Sequence, residues 1–290
     1  MKHGSIKTAI LLVISGILLL MVIWGVNLYQ SITQNPSDLG TIAELSLHQE
    51  IASVDHLTIY GGYSKRITLT TSAEEEINIR MQGNPEALKS NISNRHFIVG
   101  EPFEIVDDPR CHWLFGCKDQ ARITEISVEI PDNFTGTITI VALNPSIQIT
   151  NEHDLIEWNR LTIKTANSNI TLGNIQTDMF LSTANLTLNA TDIGGQLNIS
   201  SAALSGGMSV HTESDLYASI QAASTNLRLE QFPDQGVLIS SNGVNSYVTL
   251  KDGSTRRSLA HLLVDLDSEN GEQRITLDIQ SVTTALRFIP

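Results

Sequence analysis

Aromatic and charged side chains are scarce in this chain of 290 residues. Aromatic residues make up 5% of it and charged residues 17%, and 18 Lys and Arg residues face 31 Asp and Glu residues, for a net charge of −13. Proteins that bind nucleic acid or lie on an anionic membrane surface rely on clustered Lys and Arg. The charge balance therefore argues against nucleic acid as a partner and against an anionic membrane face.

Sequence signatures of catalysis are also lacking. The chain has no G-x-S-x-G nucleophile elbow, no H-E-x-x-H zinc helix, no P-loop and no G-x-G-x-x-G fingerprint. Its eight histidines are scattered without the spacing that metal ligands show. We therefore predict that the protein is not an enzyme, and we predict no catalytic residue, metal site or cofactor.

Long apolar runs are limited to one, near the N-terminus. No charged side chain occurs from Thr8 to Gln30, which is long enough for a helix to cross the roughly 30 Å hydrocarbon core of a bilayer. Lys2 and Lys7 precede the run and Asp38 is the first charge after it, so the positive-inside rule leaves the N-terminus in the cytoplasm. We predict a single-pass anchor in the inner or cytoplasmic membrane, with the remaining chain periplasmic or extracellular. A cleaved signal peptide is the alternative, although this run is longer than such peptides usually have.

Cysteine is nearly absent. The two cysteines, Cys111 and Cys117, bound the stretch CHWLFGC. Exported compartments favour disulfides, and two cysteines so close in the chain can close a small loop, so we predict the bond Cys111–Cys117. A metal site that includes His112 and a redox pair are the alternatives, but neither has its usual spacing. Trp113 and Phe115 either tuck under the loop or form an apolar tip that binds a ligand.

Period-two alternation of apolar and polar residues begins at Ile51 and indicates β-strands. The stretch NPEALKSNI, from Asn84, is the best candidate for one short helix. Together, the apolar run and this alternation divide the chain into five regions. They are a cytoplasmic tail (1–7), the anchor (8–29), a linker (30–50), an N-terminal β region and cap with the cysteine loop (51–135), and a region of β-solenoid repeats, described below, with a C-terminal cap (136–290). The segment EQRITLDIQSVTTALRFIP is the predicted C-terminal cap.

A weak internal repeat runs through the second half of the chain. Stretches such as LTIKTANSNITLGNIQTD from Leu161 and FLSTANLTLNATD from Phe180 have two alternating strands around a small polar cluster, and successive starts lie about 17–21 residues apart. A unit of this size cannot bury its apolar side alone, but it can stack on its neighbours. Asparagines at equivalent corners can then form hydrogen-bonded ladders. The predicted corner asparagines are Asn167, Asn185, Asn226 and Asn242.

These repeats predict an all-β fold. We expect a single-stranded, right-handed parallel β-solenoid with short rungs, preceded by an N-terminal transmembrane helix. An antiparallel sandwich is the alternative, because its strands also recur with turn signals every few residues.

Aspartates recur near the ends of the repeat units. If those ends stack, the carboxylates would form a line that could bind Ca²⁺. Aspartate is also a good turn residue, and an unrelieved line of like charges is unfavourable, so we favour turns over calcium. The residues concerned are Asp178, Asp192, Asp215, Asp234 and Asp252.

The stretch ISVEIPDNFTGTITIVALNPSIQITN, followed by units such as LTIKTANSNITLGNIQT, resembles the putative-adhesin family of bacterial cell-envelope proteins. The resemblance covers roughly residues 53–250. It implies a run of short β repeats behind a single membrane anchor, and it brings no catalytic motif. The family's usual corner glycine is mostly Asn or Ala here.

The function expected from this sequence is that of a membrane-tethered, extracytoplasmic, non-catalytic binding or scaffold protein of the cell envelope. Its partner would be an envelope protein or a glycan. One alternative is a polysaccharide-active β-helix enzyme, which the few basic residues of the repeats disfavour. Another is an envelope sensor that acts through a membrane partner.

Overall fold

The computed structural model describes residues 43–85, 88–100, 102, 111–112, 116–117, 123–151, 155–210, 214–230, 236–266 and 275–289. Strands account for 78% of these residues, so the predicted all-β fold is confirmed for the part of the chain that the structure describes. The predicted anchor at 8–29 lies outside the described residues. Within them, no helix has the length and apolar character needed to cross a bilayer.

Five strands in the first part of the chain form antiparallel pairs with one another. β1 (Ala43–Glu50) pairs with β4 (Glu76–Gly83), and β4 pairs with β9 (Ile123–Pro131). β5 (Ser90–Ser93) forms a hairpin with β6 (His96–Val99). β1 therefore lies in the stretch predicted as linker, and β5 overlaps the end of the stretch predicted as a short helix.

The repeat units form rungs, each with a first arm and a second arm joined by a bend. The first rung is β2 (His56–Gly62) with β3 (Arg66–Ser72), and the second is β10 (Thr137–Ala142) with β11 (Ser146–Thr150). In the next four rungs both arms belong to one continuous strand. These strands are β12 (Arg160–Gln176), β13 (Asp178–Val210), which holds the two rungs 178–194 and 195–210, and β14 (Leu216–Glu230).

Neighbouring rungs pair in parallel. β12 pairs with β13 with Arg160 opposite Asp178, and β13 pairs with β14 with Gly195 opposite Leu216. The two rungs inside β13 also stack, since Gly206 in the second lies directly against the backbone of Leu188 in the first. The named pairings that join β12, β13 and β14 are all parallel, which excludes the antiparallel sandwich for these strands.

The C-terminal strand lies inside the stack. β19 (Ile275–Ile289) pairs in parallel with β14 on one side, and with β15 (Val237–Asn242) and β16 (Asn245–Thr249) on the other. The segment predicted as a C-terminal cap is therefore an internal rung over 275–289, because strands pair with it on both sides. The antiparallel strands β17 (Thr255–Ser258) and β18 (His261–Leu266) pair with β16 and β15 instead.

Aliphatic side chains fill the interior in aligned rows. One such row takes one residue from each of six rungs, and none of its members is more than 2% exposed. Burial of a single Ile or Leu side chain contributes about 1.5–3 kcal/mol, and β-branched residues suit the pleated surface. The row consists of Ile140, Ile163, Leu181, Ile199, Ile220 and Ile279.

Candidate functional site: a polar groove along the bends

Each rung bends where its inward–outward alternation changes phase. In β12, Thr165 and Ser168 are both buried, whereas Asn167 between them is exposed. The hydroxyl oxygens of Thr165 and Ser168 lie 2.9 Å apart. This hydrogen bond closes the inside of the bend and leaves the outside to carry polar side chains.

A hydroxyl at the start of the bend joins a rung to the one before it. Thr183 Oγ1 donates to the carbonyl of Ala166 in the preceding rung and to that of Asn185 in its own rung, both at 3.1 Å. Ser201 Oγ repeats this arrangement with Ala184 at 3.2 Å and Ala203 at 2.7 Å. Our sequence prediction missed these hydroxyls, although the recurring T-A-N, T-A-N and S-A-A triplets carry the signal.

Three asparagines form a ladder on the outside of the bend. Asn167 Nδ2 donates to Asn144 Oδ1 at 2.9 Å, and Asn185 Nδ2 donates to Asn167 Oδ1 at 2.6 Å. Asn167 and Asn185 were predicted from the sequence, and the structure brings them together. Asn144 was not predicted, because it lies in the loop between β10 and β11.

The other two predicted corner asparagines lie away from this ladder. Asn226 pairs with Ser205, in the next outward-facing row of the second arm. Asn242 pairs with Gln280 in the first arm, and its Oδ1 lies 2.7 Å from His261 Nδ1. The sequence repeat therefore placed both residues in the wrong row of the bend.

The ladder is interrupted at Ala203, which occupies the place of Asn185 in the next rung and pairs with Ser224. Beyond the interruption the row continues through hydroxyls, and Thr283 Oγ1 donates to Ser224 Oγ at 3.3 Å. We call this series the ladder row. Its members are Asn144, Asn167, Asn185, Ala203, Ser224 and Thr283.

A groove of about 850 Å³ follows the bends across several rungs. The ladder row from Asn144 to Ser224 forms one side, and the buried residues Leu186 and Leu204 lie between this row and the other side. Rungs spaced about 4.8 Å apart give these five positions a length of roughly 19 Å. The other side, which we call the outer row, consists of Ser146, Asn169, Thr187, Ser205 and Asn226.

The groove is polar but almost uncharged. Among the described residues that line it, Lys65, in the loop between β2 and β3, is the single charged one. The groove therefore offers amide and hydroxyl groups held at fixed spacing, which suits hydrogen bonding to an extended polar ligand.

The recurring aspartates do not form a line. Asp178 starts a rung opposite Arg160, whereas Asp192 lies near the end of the same rung with a φ of 53°, as in a turn. The carbonyl of Asp215 accepts a hydrogen bond from the Gly195 N–H. Asp234 lies outside the described residues, which contain no group of three His, Cys, Asp or Glu residues able to hold a metal ion.

Asp252 belongs to the turn that joins β16 to β17. Its Oδ1 accepts a hydrogen bond from the Ser254 N–H at 2.8 Å. Hydrogen bonds from the side chain and then from the backbone of Ser254 hold the pKa of this carboxyl below its ordinary value. This geometry is that of a turn residue.

The cysteines lie in a short ribbon that forms part of a separate compact unit. β7 (Cys111–His112) and β8 (Gly116–Cys117) pair antiparallel, with Cys111 opposite Cys117. The predicted apolar tip, Trp113 and Phe115, lies outside the described residues.

Parallel rungs stacked along one direction, with a polar groove at their bends, define a β-repeat protein. Residues 54–286 match the family described as Toastrack DUF4097, and the chain belongs to that family. The predicted resemblance to a putative-adhesin-like family is confirmed at this level. No curated protein matches the chain.

Several solved structures are similar to the chain at low identity. A putative cell adhesion protein from Clostridium sporogenes is 10% identical, over 86% of this chain and 99% of that chain, with a TM-score of 0.40. A putative adhesin from Bacteroides fragilis is 10% identical, over 87% and 99%, with a TM-score of 0.40. A putative lipid binding protein from Parabacteroides distasonis is 9% identical, over 87% and 98%, with a TM-score of 0.32.

Proposed function

We propose that this protein is a non-catalytic binding protein of the cell envelope, tethered by a membrane helix at 8–29, and that the polar groove is its ligand site. The observation that carries the proposal is the groove itself, in which successive rungs present amides and hydroxyls in register over roughly 19 Å. Side chains held on paired strands bind without the entropic cost of ordering a loop. The ligand is an extended envelope molecule that lies along the stack.

The lining of the groove supports binding over catalysis. Cleavage of a glycosidic bond usually needs two carboxyl groups about 5–10 Å apart. The lining residues that the structure describes are Asn, Ser, Thr, Ala, Leu, Pro and one Lys, and none of these is an acid or a histidine. A ligand that binds here therefore meets hydrogen-bonding groups without a general acid or base.

The placement outside the cytoplasm is supported by the apolar run and by the cysteine ribbon. Residues opposite each other in an antiparallel pair have Cα atoms about 4.5–5.5 Å apart, which falls within the range of about 4.4–6.8 Å for disulfides. Because Cys111 and Cys117 are such a pair, we include the bond Cys111–Cys117 in the proposal. It would close a loop that carries Trp113 and Phe115.

The binding proposal is tested with the full-length protein in detergent micelles, applied to an array of envelope glycans. Asn185→Ala changes a residue that lines the groove, whereas Asn189→Ala changes an exposed residue of the same rung that does not line it. We expect Asn185→Ala to weaken binding to the captured glycans at least tenfold and Asn189→Ala to leave it unchanged. Equal binding by both variants would overturn the groove as the ligand site, and turnover of a polysaccharide would overturn the non-catalytic role.

The proposed location is tested in whole cells with a membrane-impermeant maleimide. We expect labelling of Cys111 and Cys117 only after a reductant has been added, because both thiols are joined in a disulfide on the outer side of the membrane. Labelling without reductant would contradict the disulfide, and labelling only after lysis would contradict the export of the domain.

A further inference from the structure

We propose that the interruption of the ladder at Ala203 is a subsite for the acetamido group of an N-acetylated sugar, so that the groove binds a neutral glycan built from N-acetylhexosamine units. This inference rests on the proposed function of the groove. Three features of the groove support it: the direction of the ladder, the size of the interruption and the uncharged lining.

The hydrogen bonds of the ladder row all point the same way. On one side of Ala203, Asn185 Nδ2 donates to the preceding rung, so its Oδ1 faces the interruption as an acceptor. On the other side, Ser224 Oγ already accepts from Thr283, so its proton is left to donate toward the interruption. Among the described residues, neither Asn185 Oδ1 nor the Ser224 hydroxyl proton has a partner there.

An amide has the right length to fill the interruption. In the intact ladder, the oxygen and nitrogen of one amide lie about 2.3 Å apart. The hydrogen bond to the next amide adds 2.6–2.9 Å. Together these two distances span the spacing between neighbouring rungs, which is about 4.8 Å. The step at Ala203 lacks only the amide. A hydroxyl would place its donor and acceptor on a single atom and fall about 2 Å short. An acetamido N–H would donate to Asn185 Oδ1 and its carbonyl would accept from Ser224.

The surroundings of the interruption match the rest of such a sugar. The half-buried Ala203 provides apolar contact for the acetamido methyl group. Thr187 and Ser205, in the outer row, lie within the same groove and can bond ring hydroxyls. Lys65 is at the far end of the groove, so no described lining residue beside Ala203 carries a charge that would compensate the desolvation of a charged substituent.

The test compares two soluble probes by calorimetry on the full-length protein in micelles. Chitohexaose and cellohexaose have the same backbone and differ at one ring position, where the first carries an acetamido group and the second a hydroxyl. We expect chitohexaose to bind at least tenfold more tightly. We expect Ala203→Asn, which supplies the missing amide from the protein itself, to weaken chitohexaose binding at least tenfold.

Matched variants separate this subsite from general effects on the fold. Ala202→Asn adds the same amide at the position just before the interruption, and we expect it to leave chitohexaose binding unchanged. Ser224→Ala removes the donor without adding bulk, and we expect it to weaken chitohexaose binding, which keeps the test valid if Ala203→Asn does not fold. Thermal unfolding of each variant shows whether it is folded.

The outcomes distinguish this inference from the proposed function. Equal affinity for the two hexaoses, lost together in Asn185→Ala, would overturn the acetamido subsite and leave the groove as a glycan site. If neither hexaose binds, and an envelope protein binds in a way that is lost in Asn185→Ala, the glycan is overturned as the ligand and the groove remains the binding site. If Asn185→Ala binds every envelope molecule as tightly as the wild type does, the proposed function itself is wrong.

Discussion

Replacement of Gly206 by alanine tests the stacking of the two rungs that share β13. Gly206 has a φ of 136°, a backbone conformation that residues with a side chain rarely adopt. A Cβ at this position would lie 1.8 Å from the carbonyl oxygen of Leu188 and 2.7 Å from its carbonyl carbon. Both are backbone atoms of the preceding rung, which pairs with β12 on its other side. The clash therefore cannot be relieved by a side-chain rotation.

We expect Gly206→Ala to lower the free energy of unfolding by about 2–6 kcal/mol, because overpacking costs about 1–3 kcal/mol and an unfavourable φ about 1–3 kcal/mol more. The adjacent variant Gly207→Ala is the control, since its Cβ would meet nothing closer than Glu230 Oε1, at 3.4 Å. We expect that variant to stay within about 0.5 kcal/mol of the wild type.

Urea unfolding followed by circular dichroism measures both variants. With a denaturant slope of about 3 kcal/mol/M, the expected loss in Gly206→Ala lowers the midpoint by roughly 0.7–2 M. Equal midpoints for Gly206→Ala and Gly207→Ala would refute the register in which Gly206 stacks on Leu188. The same register places Ala203 next to Asn185 in the groove.

Two further predictions concern the bend and the turn after β16. Thr183→Val removes a buried hydroxyl that bonds two carbonyls of the bend, so we expect the free energy of unfolding in urea to fall by about 1–3 kcal/mol. The control is Thr171→Val, which changes an exposed threonine. Equal losses in the two variants would contradict the role of the Thr183 hydroxyl. Ser254 lowers the pKa of Asp252 in the folded state. The hydrogen bonds from Ser254 to the ionised carboxylate therefore stabilise the folded state at pH values above the ordinary carboxyl pKa. This stabilisation is lost as the pH falls through the lowered pKa. Ser254→Ala should raise the Asp252 pKa toward its ordinary value in an NMR titration, and an unchanged pKa would contradict this cause.

Strand formation could be predicted from the sequence because alternation records which residues face the core. The stretch RLTIKTANSNITLGNIQ alternates on both sides of T-A-N, and it forms both arms of β12. The order of the rungs could not be predicted in the same way. Ile275, Leu277 and Ile279 alternate identically whether β19 caps the stack or lies inside it, and only its pairing with β14 and β15 decides between them.

The groove could be predicted in part. Asn167 lies directly opposite Asn185 because the step between their rungs equals the spacing of the sequence repeat. The alignment fails for Asn226 because the register brings Ser224, two residues before it, opposite Ala203. Asn144 was missed because its rung has a loop at the bend, between β10 and β11. The repeat therefore locates the bends, whereas loop lengths decide which side chains meet there.

The binding of a glycan at the interrupted ladder is tested most directly by NMR of the side-chain amides of the full-length protein in micelles. Asn185 lines the groove and Asn189, on the same rung, does not. On addition of chitohexaose, we expect the Nδ2 signals of Asn185 to shift and those of Asn189 to stay in place. Binding of chitohexaose that leaves the Asn185 signals unchanged, or that moves those of Asn189 instead, would contradict the groove as the ligand site.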